Sequence, residues 1–215
     1  LDKRGLHAFL AAAGFDEAAV ERSLAGLIAS GMVAEEESLI PRIPALRRKL
    51  EELLGRDAVA LREKLITHLF GLWRAGRFPR QVLLFSFLAK AGKTGLALQV
   101  LPEIIRRKLD EGDYTGARAF CDPGRLEFAS APDAVERHIL ALTTTTGRLR
   151  ATLLEGRTEE AAELAQTLGV LQKSAPVGET SGDARLACTL ASLAAGDSPA
   201  ALGELKAALL AFQET

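Results

Sequence analysis

Apolar residues recur along this chain at three- and four-residue intervals, the spacing that gathers them on one face of an α-helix. The stripes are cut by glycines. Glycine closes a helix readily because it enters the left-handed conformation without steric cost. Five positions after such a glycine an alanine keeps returning: Gly14 with Ala19, Gly92 with Ala97, Gly112 with Ala117, Gly156 with Ala161, Gly196 with Ala201. At Gly76 the slot holds Gln81. A closing glycine, two or three turn residues and an alanine inside the next helix predict a helical hairpin with closely approaching backbones. Three and seven positions before the long-hairpin glycines stand Trp73 and Leu69, Leu109 and Ile105, Leu153 and Leu149, Leu193 and Thr189. A helix places these on one face, so they are expected to be buried. Nine positions after the same glycines stand Phe85, Cys121, Ala165 and Leu205, expected on the buried face of each second helix.

The first 55 residues have a different character. Leu6, Phe9 and Leu10 mark a short helix ending near Gly14, and Asp16 is placed to cap a second one. In that second helix Val20, Leu24, Leu27 and Ile28 share a face. Then come Ser30-Gly31-Met32-Val33, an acidic turn Glu35-Glu36-Glu37-Ser38, and the short apolar stretch Leu39-Ile40-Pro41-Arg42-Ile43, read as a strand. This order resembles the latter part of a winged helix-turn-helix domain, whose wing is a small β-hairpin. Its second helix presents Glu17 and Glu21 beside Arg22 and Ser23. Two carboxylates facing a phosphate backbone are repelled, so a packing and linker module is expected here rather than a DNA reader. An amphipathic helix follows over Ala45 to Gly55, and Gly55-Arg56-Asp57 is the expected boundary. The winged-helix-like domain then covers 1–55 and the helical repeats 56–215.

The long turns at Gly76, Gly112, Gly156 and Gly196 lie 36, 44 and 40 residues apart. Gly112-Asp113-Tyr114-Thr115-Gly116-Ala117 resembles the inter-helix turn of a tetratricopeptide repeat, and Gly76-Arg77-Phe78 is similar. The usual period is about 34 residues. The longer periods resemble the extended repeats in the sensor arms of large bacterial signal-transduction ATPases and transcription regulators. In that group a nucleotide-binding domain and a winged-helix module precede the repeats. The resemblance implies an all-α fold, a right-handed superhelical array of about four hairpins behind a small winged-helix-like domain. This chain departs from the pattern midway along each first helix, where a small residue is replaced by Leu69, Ile105, Leu149 and Thr189. Looser helix packing is expected there.

Three stretches interrupt the regularity. Asp122-Pro123-Gly124 is expected to cut a helix short, leaving a loop or single turn up to Pro132. Gln172 to Gly182 reads as a flexible loop, and Thr143 to Gly147 as a bend rather than a break in a long helix. The two loops are where partner specificity is expected. Thr158, and Ser198 with Pro199 behind it, are read as helix caps, as is Thr94.

Composition narrows the chemistry. Lys plus Arg number 27 and Asp plus Glu 28, so no strong field favours nucleic acid or an anionic membrane. Hydrophobic residues make up 48% but aromatics only 5%, a composition that suits packed helices. No apolar run approaches the ~20 residues that cross a bilayer. The two cysteines, Cys121 and Cys188, stand far apart in apolar helices and are read as buried free thiols. The chain opens at Leu1 inside an apparent helix, and is expected to be cut from a larger cytoplasmic protein.

Ala91-Gly92-Lys93-Thr94 suggests a phosphate-binding loop, but the position that needs a glycine is Phe87, and a helix precedes it. It is read as a hairpin turn. His7, His68 and His138 lack ligand spacing, and no serine or threonine is flanked by a triad. No enzymatic activity, metal or cofactor is therefore expected. Arg74, Arg77 and Arg80 flank one turn, Arg106, Arg107 and Lys108 end the following helix, and Tyr114 opens the next. The latter cations suit a helix C-terminus, and the set is also a candidate docking patch for an acidic partner. The expected function is a non-catalytic interaction or sensor region of a bacterial regulator that binds a protein, peptide or inducer in the groove of the array. A stand-alone scaffold or co-chaperone-like adaptor, a transcription-factor fragment touching DNA through the winged helix, and self-association stay open as alternatives.

Overall fold

The structure is a computed structural model and describes residues 3–12, 14–30, 33–35, 39–41, 44–173 and 179–213. It is all-α, with one small antiparallel β-hairpin among the described residues. By backbone proximity the chain falls into two compact units, Leu1–Pro79 and Arg80–Thr215.

In the first unit, α1 (Lys3–Ala12) and α2 (Glu17–Ala29) are joined through Gly14. Asp16 caps α2 as expected, its carboxylate accepting from the Ala19 amide at 3.0 Å. Leu24 is buried and Val20 and Ile28 half-buried, whereas Leu27 turns out to be exposed. Strands β1 (Val33–Glu35) and β2 (Leu39–Pro41) pair antiparallel, with Ala34 opposite Ile40. The long helix α3 (Pro44–Arg74) completes the unit, and Phe9 of α1 lies 5.8 Å from the His68 ring of α3. Gly55-Arg56-Asp57 lies within α3, and the two compact units divide after Pro79. A single helical glycine costs only about 1 kcal/mol, too little to break a helix of this length.

The second unit contains α4 (Gln81–Lys90), α5 (Thr94–Asp110), α6 (Tyr114–Phe120), α7 (Ala134–Leu154), α8 (Thr158–Gln172), α9 (Glu179–Ala194) and α10 (Ser198–Gln213). Its helices pack in series. The first helices touch one another, α5 on α7 and α7 on α9. Each second helix packs on its own partner and on the next first helix, α6 on α7 and α8 on α9. One apolar cluster spans Leu142 and Leu149 of α7, Leu164 and Leu168 of α8, and Ala184 and Cys188 of α9.

One turn geometry links these helices. Among the described residues, positive φ is confined to Gly14, Gly92, Gly112, Gly156 and Gly196, the five glycines that the alanine spacing singles out, and Gly76. At each, the glycine N–H donates to the carbonyl three residues back and the following N–H to the carbonyl five back, as in Gly112 to Leu109 and Asp113 to Lys108. This pair of bonds satisfies carbonyls that a helix end leaves orphaned, and needs the left-handed residue in the middle. Ala97, Ala117, Ala161 and Ala201, five positions on, are all buried.

At Gly92, Gly112 and Gly156 the residue after the glycine is also the N-cap position of the next helix, with a side-chain capping bond at Asp113. Lys93, Asp113 and Arg157 occupy that position with nearly identical backbone angles. Thr94 and Thr158 are consequently the first helical residues rather than the caps. Ser198 likewise opens α10, while Asp197 accepts from the Ala200 amide.

The interruptions are local. After α6 a single 3-10 turn, Pro123–Arg125, leads into a loop, and Asp133 with Glu136 forms a reciprocal capping box at the start of α7. Through Thr143–Gly147 the helix continues unbroken, with Thr143, Thr144 and Thr146 buried. Thr144 avoids an orphaned hydroxyl by donating to the Leu140 carbonyl. Of the loop expected over Gln172 to Gly182, residues from Glu179 onward are already helical and 174–178 lie outside the described residues.

Candidate functional site

The charged patch expected around the turns is largely neutralised from within. Arg106 pairs with Glu103 and Asp110, and Arg107 with Glu111 at 2.8 Å, all one turn apart on the same helix surface. Hydrogen bonding to Glu103 and the charges of Glu103 and Asp110 push the Arg106 pKa up. Lys108 reaches Asp113 at 2.7 Å, and the same carboxylate accepts from the Gly116 amide. Hydrogen bonding and charge raise the Lys108 pKa, while Lys108 and the Gly116 amide lower that of Asp113. These cations brace a helix end, in keeping with the macrodipole. Arg74, Arg77 and Arg80 are exposed, and Tyr114 is half-buried at the start of α6. Arg74 and Arg77 belong to the first unit and Arg80 to the second.

A cluster missed in the sequence lies between hairpins. Arg118 of α6 donates to Thr152 Oγ1 at 3.1 Å and to Glu155 Oε2 at 2.7 Å, both at the end of α7, and its charge also meets Glu160 of α8. Arg157 binds the same two glutamates. Burial opposes ionisation of Glu155, but the hydrogen bonds and charges of Arg118 and Arg157 outweigh it and hold its pKa below the ordinary value. Farther along, Arg150 of α7 meets Asp183 of α9 at 3.4 Å, and Arg185 of α9 meets Glu204 of α10 at the same distance. No periodicity announces such pairs, because their partners come from different helices.

Among the described residues, the loop after the 3-10 turn forms a concave surface. Its Ala129 amide donates to the Ala89 carbonyl at the end of α4, and Phe128 packs edge-on against Phe85 at 5.9 Å. Held this way, the loop covers the start of α7 and leaves a cleft of about 450 Å³. Leu126, Phe128, Pro132 and Leu140 line it, with Arg137 at hand. The Arg137 guanidinium donates to the Pro132 carbonyl, which fixes the lip of the cleft. Apolar walls with one cation suit an apolar side chain carrying a nearby acidic group. Proline and glycine at 123–124 mark this place in the sequence, although not the cleft itself.

Neither cysteine is an activated nucleophile. Both thiols are free and buried, and desolvation pushes Cys121 up to about 12 and Cys188 up to about 11. The Gly92 segment is a turn between two helices, without a preceding strand. Among the described residues no group of His, Cys, Asp or Glu is placed to hold a metal ion, and no helix is long and apolar enough to cross a membrane. Comparison with protein-family models, with curated proteins and with solved structures finds no match to this chain.

Proposed function

We propose that this chain is a non-catalytic interaction or sensor region that receives a segment of a partner protein on its helical array. The observation that carries this reading is the cleft under the 126–132 loop, held between consecutive stacked hairpins and lined by apolar residues with Arg137 beside them. Serial hairpin stacks expose extended surfaces of this kind, and function sits where the regular repeat is interrupted. The likeness of the turns to those of tetratricopeptide repeats supports reading the region as the sensor arm of a regulatory protein. The β1–β2 hairpin behind α2 supports the finer reading of the first unit as a winged-helix-like module. Glu17 and Glu21, both exposed on α2, argue that it packs against protein rather than reading DNA.

The test is affinity capture with the wild-type chain and with Leu126→Asp and Arg137→Glu variants, each checked for unchanged helical circular dichroism. A partner retained by the wild type and lost by both variants supports the cleft. A partner retained equally by all three removes it from consideration. A gel-shift titration at low salt is expected to give no retardation beyond weak non-specific binding.

A further inference from the structure

Most arginines of the second unit are paired. Arg118, Arg125, Arg150, Arg157 and Arg185 each meet a carboxylate. Arg137 is placed differently. Among the described residues it meets the Pro132 carbonyl, through Nη1, and no carboxylate. The acids nearest it along the chain, Asp133 and Glu136, accept from each other's amides in the capping box. That leaves the Nε–Nη2 edge of the guanidinium, and such an edge takes a carboxylate by two parallel hydrogen bonds.

The walls around this cation offer a polar ligand little else. Pro123, Leu126, Phe128, Pro132 and Leu140 present apolar side chains to the cleft. The prolines carry no N–H, the Leu126 amide is spent on the Pro123 carbonyl, and Leu140 lies inside the ladder of α7. A ligand with several polar groups would leave some of them unpaired, at a cost for each. An apolar body with a single carboxylate leaves none. The walls are also set in advance, since the Ala129 amide is bonded to the Ala89 carbonyl and the Phe128 ring packs on Phe85. Ser130 Oγ lies 3.2 Å from where a Cβ at Gly92 would stand, so the loop is seated on the α4–α5 turn as well. Binding then asks for little reordering of the loop.

We propose that this cleft takes a small apolar carboxylic acid, its carboxylate forked on Arg137 and its body against Leu126, Phe128 and Leu140. The volume of about 450 Å³ falls within the roughly 300–1,000 Å³ of small-molecule sites. The proposal rests on the reading of this cleft as the recognition site and adds its regulator, because the acid and a partner segment cannot fill it together.

Isothermal titration calorimetry of the chain with hydrocinnamate and with decanoate, an aromatic and an alkyl acid, tests this. At least one is expected to bind with a dissociation constant on the order of 100 µM. Its amide, of the same shape without the charge, is expected to bind at least about 10-fold more weakly. Arg137→Gln is expected to bring the same loss and Leu126→Asp to abolish binding, both with helical circular dichroism intact. An amide that binds as well as its acid overturns the proposal. So do acids that bind the Leu126→Asp variant undiminished, or that show no binding up to about 5 mM. Affinity capture in the presence of the acid separates the two readings. A partner held through Leu126 and not displaced by the acid overturns this proposal and leaves the partner reading standing. A bound acid, with no partner that depends on Leu126, supports the acid site without the partner reading.

Discussion

Hairpins three and four of this chain share a turn and differ in what they do with it. Both close on a left-handed glycine, Gly156 and Gly196, and both bury the alanine five residues on. In α7–α8 the stripe continues inward: Leu149 is fully buried and Leu153 and Ala165 pack against the cluster shared with α9. In α9–α10 the equivalent Leu193 and Leu205 face outward. Local sequence therefore sets the fold of a hairpin, while burial of its far side depends on what stacks next.

The sharpest way to probe that difference is to truncate the stripe in each. Leu149→Ala is expected to cost about 2–5 kcal/mol, because it opens a cavity in a closed cluster. Leu193→Ala, in water at micromolar or lower protein concentration, is expected to stay within about 1 kcal/mol. Urea denaturation measures both, and comparable losses would show that the two hairpins are equally buried.

Two helical glycines, Gly147 of α7 and Gly182 of α9, make a second pair. A Cβ at Gly147 meets Cys121 Sγ at 2.5 Å and an Ile105 methyl at 2.8 Å, both fixed in the interior. Gly147→Ala is expected to destabilise by about 1–2 kcal/mol, the overpacking outweighing the better helix propensity. At Gly182 the added atom meets the Phe212 ring, which is itself partly exposed and turns aside. Gly182→Ala is expected to be neutral or slightly stabilising. Thermal unfolding of the two variants side by side distinguishes the cases.

The turns themselves should not distinguish the hairpins. Nothing lies within 4 Å of a Cβ built at Gly156 or Gly196, so alanine there meets only the backbone penalty. Each substitution is expected to cost about 1–2 kcal/mol, equally in both. A much smaller loss at Gly196 would show that hairpin four unfolds apart from the rest.

The smallest effect is electrostatic. A carboxyl whose pKa is lower in the folded state than in the unfolded one adds stability above the unfolded value. That stability is lost as pH falls through the folded one. Glu155, held down by Arg118 and Arg157, is such a group, so its contribution is expected to fade below pH 4.5, its ordinary value. Arg118→Met removes one of those cations and should flatten the acid limb of a stability–pH profile. Arg185→Met, which removes the partner of Glu204 in hairpin four, is the comparison to measure alongside it.

The sequence was most readable at the turns, because positive φ is a requirement that one residue satisfies locally. Five of the six glycines could be found from the alanine spacing alone. The caps expected at Thr94, Thr158 and Ser198 were displaced by one residue, since the amide that closes one helix belongs to the residue that opens the next, whereas Asp16 was placed correctly. Gly147 reads in sequence as a poor helix former. Its actual role, admitting Cys121 and Ile105 of the preceding hairpin, is set by residues distant along the chain. Beside Leu149 a small residue stands two positions earlier, at Gly147. The Arg118 cluster and the cleft beside Arg137 were invisible for the same reason. The outward-facing Leu193 and Leu205 were expected to be buried because periodicity identifies a face without saying whether anything covers it.

Cys121 and Cys188 acquire a further use from where they sit. One closes against α7 and the other against the middle of α8, so each thiol is sealed by a different junction between neighbours. A thiol reacts only as an accessible thiolate, and both are withheld on both counts. Reaction with a disulfide reagent then requires the junction to part, and its rate clocks that parting. The chain thus carries two native reporters of local opening, readable by mass spectrometry without any added label in the fold. If hairpin four loosens from hairpin three ahead of the rest, Cys188 will be modified first.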